Sequence, residues 1–415
     1  MVSQLTPTLS INGDRLLRSL EDLAQIGGLP GGGVRRLAFS PEDCQARSLL
    51  QRWFTEAGLA TRTDAAGNLI GRYPGRHAAA PCLATGSHLD TVPAGGRYDG
   101  AYGVLAGLEV ARVLQEQQVS LTRPYEVIVF TDEESSMIGS KGLAGRVVND
   151  SAYYQRPDGT DIQTCLRQVG GNWDRIYEAR RAPGAIAAFV ELHVEQGPIL
   201  EAMHCPIGVV EGVVGQRRYQ ITIEGSANHA GTTPMYLRRD ALVAAAEVVL
   251  AVHQLGQTPG QQVATVGQLD VIPNAPNVIP GRVTMSLDLR DLSSRHIDSL
   301  LEQLRHRLED LALRTQTRIR LHRRLHAEPA LAAPRIQRAI AQVCDDLQLP
   351  YTHLPSRASH DAQELAQITD MGMIFVPSVG GLSHAEAEYT RPEDCIRGAN
   401  VLLHTFLALD RDAPA

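Results

Sequence analysis

"CLATGSHLDTVPAGGRYDGAYGVLAGLEVARVLQ", residues 82–115, decides how this chain is read. It opens apolar, turns polar at Ser87–Asp90 and crosses a glycine-rich loop. It then places Val104, Leu108 and Ala111 on one helical stripe. That is a buried strand, its polar edge and the helix that follows. The theme returns twice. "YEVIVFTDEE" (125–134) is a β-branched run ending in acids, and "IAAFVELHVEQG" (186–197) also turns polar at its end. Strands alternating with helices predict an α/β domain with a mostly parallel sheet. Ligands bind outside the carboxyl ends of such strands, and all three polar clusters fall there.

The character changes after "GVVEGVVGQ" (208–216), which is rich in glycine and valine and is expected to be a hinge. "RRYQITIEG" alternates Tyr219, Ile221 and Ile223, a half-buried strand. "DALVAAAEVVLAVHQL" is a helix with Leu242, Ala245, Val249 and Val252 on one stripe, and "QQVATVGQLDV" and "GRVTMSLDLRD" read as strands. "SSRHIDSLLEQLRHRLEDLAL" is an amphipathic helix with Ile297, Leu300, Leu301, Leu304, Leu308 and Leu311 inward, and "TRIRLHRRLH" closes as a strand. The order β-α-β-β-α-β is ferredoxin-like. The expected division is a catalytic domain of residues 1–212 and 329–415 with an inserted domain at 213–328.

The bulk numbers remove other classes. A chain of 415 residues with 43% apolar and 20% charged residues is an ordinary globular composition, too long for one simple core. A net charge of −7 from 39 basic and 46 acidic residues gives no general attraction for nucleic acid or anionic membranes. The ferredoxin-like insert lacks the basic charge and stacking aromatics of an RNA-binding module. Six scattered cysteines form no C-x-x-C pair and no disulfide framework. With no signal peptide and no apolar run long enough for a membrane span, a cytoplasmic location is expected.

The chemistry concentrates in four places. His88 and Asp90 stand at i and i+2 on the strand end, with Asp99 in the loop. A carboxylate beside a ligating imidazole fixes its tautomer. The alternative for Asp99 is a helix N-cap, and for His88 a satisfied core histidine. Glu133 and Glu134 are adjacent at a strand end, so one can bind a metal while the other handles a proton. His193 ends another strand-like run, and His384 follows two glycines in "GGLSHAEAEYT". Imidazole with carboxylate suits zinc, manganese, cobalt or nickel, and a bridging carboxylate holds two ions about 3.5–4 Å apart. In the insert, His229 lies in "SANHAGTTPM", Asn277 in "IPNAPNVIPG", and Arg290 on the polar face of "VTMSLDLR". From spacing alone each of these three reads as an ordinary surface residue. Arg290 could also grip a carboxylate with two hydrogen bonds.

"GSHLDTVPAGGRYDG", "DEES", "ELHVEQGPILE", "NHAGTTPM", "PNVIPG", "DLR" and "GGLSHAE", in that order, resemble the amidase/hydantoinase-carbamoylase branch of the M20 metallopeptidases. That branch includes N-carbamoyl-L-amino acid hydrolase, allantoate amidohydrolase and β-ureidopropionase. The resemblance implies a zinc-exopeptidase-like α/β catalytic domain with a mixed, mostly parallel sheet, and an inserted ferredoxin-like α+β lid domain through which homodimers form. It implies two divalent ions, zinc first, with manganese, cobalt or nickel as alternatives. His88 and His193 would hold one ion, Glu134 and His384 the other, and Asp99 would bridge them. Asp90 would orient His88, Glu133 would be the general base, and His229 would polarise the substrate carbonyl. Arg290, Asn277 and Gln196 would bind substrate.

The implied activity is cleavage of the ureido C–N bond of an N-carbamoyl-L-amino acid or allantoate, with release of ammonia and carbon dioxide. Hydrolysis of N-acyl amino acids or dipeptides is the alternative on the same scaffold. Two departures from the branch bear on substrate: "EESSMIGSKG" where many members read "EEGSRF", and "SRASHDA", carrying Arg357, where many read "SGAGHDA".

Overall fold

The structure is a computed structural model and describes residues 9–156 and 158–411. The chain divides into two compact units, Met1–Gly212 with Leu331–Ala415, and Val213–Ala330.

The first unit is built on a mixed sheet. Its centre is parallel: Tyr125–Phe130, Cys82–His88, Ile186–Val194 and Met371–Val376 lie side by side in that order. Antiparallel strands flank this centre. Ala60–Thr63 and Leu69–Tyr73 extend one side, and Ile207–Val213 the other. The central strands are buried on both faces, so they read as continuous apolar runs rather than alternating ones. Their common direction gathers the carboxyl ends. His88 is the last residue of its strand, paired with Phe130, and His193 is paired with Phe375.

Helix Ala101–Glu116 follows strand Cys82–His88 and is buried on nearly every side, not on one stripe. Small residues let it approach the sheet: a Cβ on Gly103 would come 2.2 Å from the Leu192 carbonyl oxygen. Its one buried acid, Glu109, is held by Arg15 at 2.8 Å and by the Asn12 N–H at 3.0 Å. A buried carboxylate needs such partners to stay folded inside.

The second unit has a five-stranded antiparallel sheet. Gly215–Glu224 lies between Arg282–Asp291 and Arg318–Ala327, and Leu269–Ile272 and Val263–Thr265 pair with Arg282–Asp291. The stretch expected as one strand near residue 265 is therefore two short ones. Helices Ala241–Gly256 and Ser294–Thr315 share a core with the apolar residues of the sheet. Tyr219, Ile221, Ile223, Val283, Met285, Leu287 and Leu289 alternate inward as the sequence predicts. So do all six apolar residues named on helix Ser294–Thr315, which Ser293 caps through the His296 N–H.

One expectation needs correction. The buried face of helix Ala241–Gly256 is Ala241, Ala244, Ala245, Val248, Val252 and Leu255, whereas Leu242 is exposed and Val249 only half-buried. This helix is apolar almost all round, so periodicity alone does not select its inner face. The glycine- and valine-rich stretch 208–216 runs from strand Ile207–Val213 into strand Gly215–Glu224. Its valines suit a pleated backbone, and the boundary between the units falls within it.

All six cysteines are free thiols. No helix among the described residues is long and apolar enough to cross a membrane.

Candidate metal centre

Asp99 stands at the middle of the polar cluster. The helix after it starts at Ala101 with Gly100 as N-cap and no side-chain cap, so the capping alternative for Asp99 does not hold. Its two carboxylate oxygens face different partners. Oδ1 lies 3.1 Å from His193 Nε2 and 3.6 Å from His88 Nε2. Oδ2 lies 3.3 Å from His384 Nε2, which is itself 3.6 Å from Glu134 Oε2. The ligand atoms of His88, Asp99 and His193 lie within 4.8 Å of one another, and so do those of Asp99, Glu134 and His384. The candidate ligands named from the sequence thus fall into two sets that share one carboxylate.

The histidines on the Oδ1 side are set up to offer lone pairs. His88 Nδ1 donates to the Asp90 carbonyl at 2.8 Å, and His193 Nδ1 donates to the Val194 carbonyl at 2.8 Å. Each carbonyl can only accept, so each imidazole donates from Nδ1 and turns Nε2 towards Asp99, where it carries a proton in the metal-free protein and offers a lone pair once that proton leaves. This donor set fits a pair of divalent ions: imidazole and carboxylate only, with tautomers fixed from behind.

The contact of Asp90 with His88 runs through its main-chain carbonyl and not through the carboxylate expected from the sequence. The strand stops at His88, so the i, i+2 geometry lapses and the Asp90 carboxylate is left 4.0 Å from His88 Nδ1. That carboxylate instead accepts the main-chain N–H of Glu133 at 3.4 Å and of Glu134 at 3.2 Å. It holds the turn that follows Tyr125–Phe130. In that turn the two glutamates diverge: Glu133 Oε2 lies 3.7 Å from His88 Nε2, and Glu134 faces His384.

Charge and burial shape the proton affinities. Burial pushes Glu133 well above the usual carboxylate range against the pull of His88, and the nearby acids Asp361 and Glu134 add to it. Burial likewise raises Glu134. Burial would raise Asp99 too, yet hydrogen bonds from His193, His384 and His88 outweigh it and hold Asp99 well below its ordinary value. The hydrogen bond to Asp99 and the charge of Glu134 lift His384 to about 9 against partial burial.

Gln196, expected to touch substrate, lies inside this cluster. Its backbone is left-handed at φ 57°, and its side-chain Nε2 donates to Asp99 Oδ2 at 2.8 Å. Its Oε1 is buried with no hydrogen-bond partner among the described residues. A third group of donors, Glu191, His193 and His360, also converges. Its outer members are engaged: Glu191 accepts from Ser87 Oγ at 2.7 Å and the Ala362 N–H at 2.9 Å, and His360 Nε2 meets Ser356 Oγ at 2.8 Å. The His360 ring packs edge-on to His193, with centroids 4.6 Å apart. The His360 ring packs on His193 from the far end of the sequence, so no spacing rule announces it, although Glu191 stands two residues before His193 on the same strand.

The remaining candidates belong to the second unit. His229 is exposed, and its Nδ1 accepts the N–H of Gly231 at 3.0 Å and of Thr232 at 3.2 Å, which leaves the proton on Nε2. Asn277 is exposed, and its carbonyl accepts the Ala230 N–H at 2.9 Å. Arg290 is gripped by Asp288 through Nε at 3.0 Å and Nη2 at 3.2 Å. Asp288 also takes Arg218 at 2.8 Å, and these cations hold it below its ordinary value although burial opposes them.

The chain matches the family described as Peptidase family M20/M25/M40 over residues 84–408. It is 42% identical over 404 residues to an N-carbamoyl-L-amino acid amidohydrolase of Geobacillus stearothermophilus, covering 96% of this chain and 99% of that protein. It is 31% identical over 430 residues to an allantoate deiminase of Arabidopsis thaliana, covering 95% and 82% respectively. Among solved structures, a hydantoinase/carbamoylase family amidase from Burkholderia multivorans superposes with a TM-score of 0.91 at 38% identity, covering 98% of this chain and all of that one.

Proposed function

Because the chain belongs to peptidase family M20/M25/M40, we propose that it is a metal-dependent amidohydrolase that cleaves the ureido C–N bond of an N-carbamoyl-L-amino acid or an allantoate-type acid. One water enters, and ammonia, carbon dioxide and the amine leave. The observation that carries this reading is the split of Asp99, with one oxygen towards His88 and His193 and the other towards His384 beside Glu134. The relatives named for carbamoyl and allantoate substrates support it over hydrolysis of N-acyl amino acids.

His88, His193, Asp99, Glu134 and His384 would hold two divalent ions, zinc first, with manganese, cobalt or nickel as alternatives. When bound, such a pair supplies Lewis acidity for a carbonyl oxygen and acidifies water. The chain's own residues do the rest. Glu133 takes the proton from the attacking water and passes it to the leaving nitrogen, a role that suits a carboxylate whose proton affinity burial has raised. Gln196 offers its orphaned Oε1 to a ureido N–H. His229 presents an Nε2–H to the substrate carbonyl oxygen, and Arg290 with Asn277 binds the substrate carboxylate. A lid role for the second unit, and a homodimer through it, are part of the same proposal.

The test is ammonia release. The metal-free protein, reloaded with zinc, manganese, cobalt or nickel, is offered N-carbamoyl-L-amino acids, allantoate, N-carbamoyl-β-alanine and N-acetyl amino acids. Ammonia from ureido acids is the expected result. Hydrolysis of the N-acetyl compounds alone would replace this reading with the acylase one.

A further inference from the structure

Beside the ligand set lies a carboxylate that none of these roles uses. Glu388 is 5% exposed. Its Oε1 accepts the main-chain N–H of Tyr98 at 2.9 Å and of Asp99 at 3.0 Å. Its Oε2 accepts the hydroxyl of Ser383 at 3.1 Å, and that hydroxyl also lies 3.2 Å from Asp99 Oδ2. The loop closes tightly on it: a Cβ on Gly96 would come 2.0 Å from Oε1. One side chain thus grips the backbone that carries Asp99 and, through Ser383, the residue next to His384.

We propose that Glu388 is a positioning residue that fixes Asp99 against His384 and so sets the spacing of the two ion sites; this rests on the metal reading above. Asp99 and His384 sit on loops, where no sheet ladder or helix sets their separation. Asp99 is the residue both sets share, so an error in its position disturbs both. His384, half exposed and left-handed at φ 52°, has little packing of its own to hold it. Groups that orient metal ligands from behind typically change metal affinity 10–100-fold when removed. Glutamine at 388 keeps an acceptor oxygen for the two N–H groups, whereas alanine leaves both without one. Ser383→Ala removes the link towards His384 and the hydroxyl beside Asp99 Oδ2, but leaves Glu388 holding the Tyr98 and Asp99 N–H groups.

The full chain, stripped of metal, is titrated with cobalt(II) in competition with a chelator, following the visible absorption of the bound ion, for wild type, Glu388→Ala, Glu388→Gln and Ser383→Ala. Wild type is expected to take two ions. Glu388→Ala is expected to bind 10–100-fold more weakly with an altered spectrum, Ser383→Ala to lose less, and Glu388→Gln to recover most of the affinity. A wild-type isotherm and spectrum for Glu388→Ala would overturn the proposal, as would the same result for Ser383→Ala should the alanine variant at 388 not fold. If wild type itself takes up no cobalt, the metal reading fails and this inference with it. Two ions in wild type together with an indifferent Glu388→Ala would remove the inference alone.

Discussion

The Asp90 carboxylate accepts the main-chain N–H of Glu134 at 3.2 Å, while the Asp90 carbonyl accepts His88 Nδ1–H at 2.8 Å. A single residue therefore fixes one candidate ligand by its backbone and another by its side chain. Substitution separates the two jobs. Asp90→Ala keeps the carbonyl under His88 but releases the Glu133–Glu134 turn. We expect turnover and metal affinity each to fall about 10–100-fold. Asp90→Asn, which retains one acceptor oxygen, is expected to lie between. Steady-state kinetics and metal titration on both variants check this; equal loss in both would point to charge rather than the turn.

Glu133 Oε2 lies 3.7 Å from His88 Nε2, yet Glu133 belongs to neither of the two sets that share Asp99. Glu133→Gln removes the proton acceptor and little else. Metal content is expected to stay near wild type while kcat falls about 10²–10⁴-fold. Turnover near the wild-type rate would remove Glu133 from the role of base.

Much of this site was legible because apolar strands end where chemistry begins. Cys82–His88 and Ile186–Val194 are buried runs that change character at their last residues, and the sequence shows that directly. Helix Ser294–Thr315 was legible for the opposite reason: its polar face is so charged that Ile297 to Leu311 stand out. Helix Ala241–Gly256 lacks that contrast, and its inner face was misassigned. The Asp90 contact was misread because the strand ends two residues earlier than its alternation suggested. Glu388 sat in a quoted motif, but its partners are two backbone N–H groups far upstream and one hydroxyl, and no spacing rule announces those.

The pH dependence of the metal-free protein follows from His384. Its folded pKa, about 9, lies above the ordinary histidine value of 6.5, so protonation favours the folded state. That contribution is complete below about 6.5 and disappears as pH rises through about 9. Tm of the metal-free protein is expected to decline across that window. With metal bound the imidazole is already deprotonated, so the loaded protein is expected to lose less, and metal affinity is expected to rise over the same range. Parallel Tm curves for the two forms would contradict this.

Gly100 is required twice. Its backbone sits at φ 63° and ψ −52°, and a Cβ there would come 2.5 Å from His88 Nε2. Gly100→Ala is expected to cost about 1–3 kcal/mol in backbone strain and to displace the imbedded ring, lowering metal affinity beyond the loss in stability. Denaturant unfolding together with metal titration separates the two effects.

The most direct measurement is anomalous diffraction from crystals of the full chain loaded with zinc or manganese. We expect two ion peaks, one on the Oδ1 side of Asp99 with His88 and His193, the other on the Oδ2 side with Glu134 and His384. A lone peak, or peaks away from Asp99, would contradict the account.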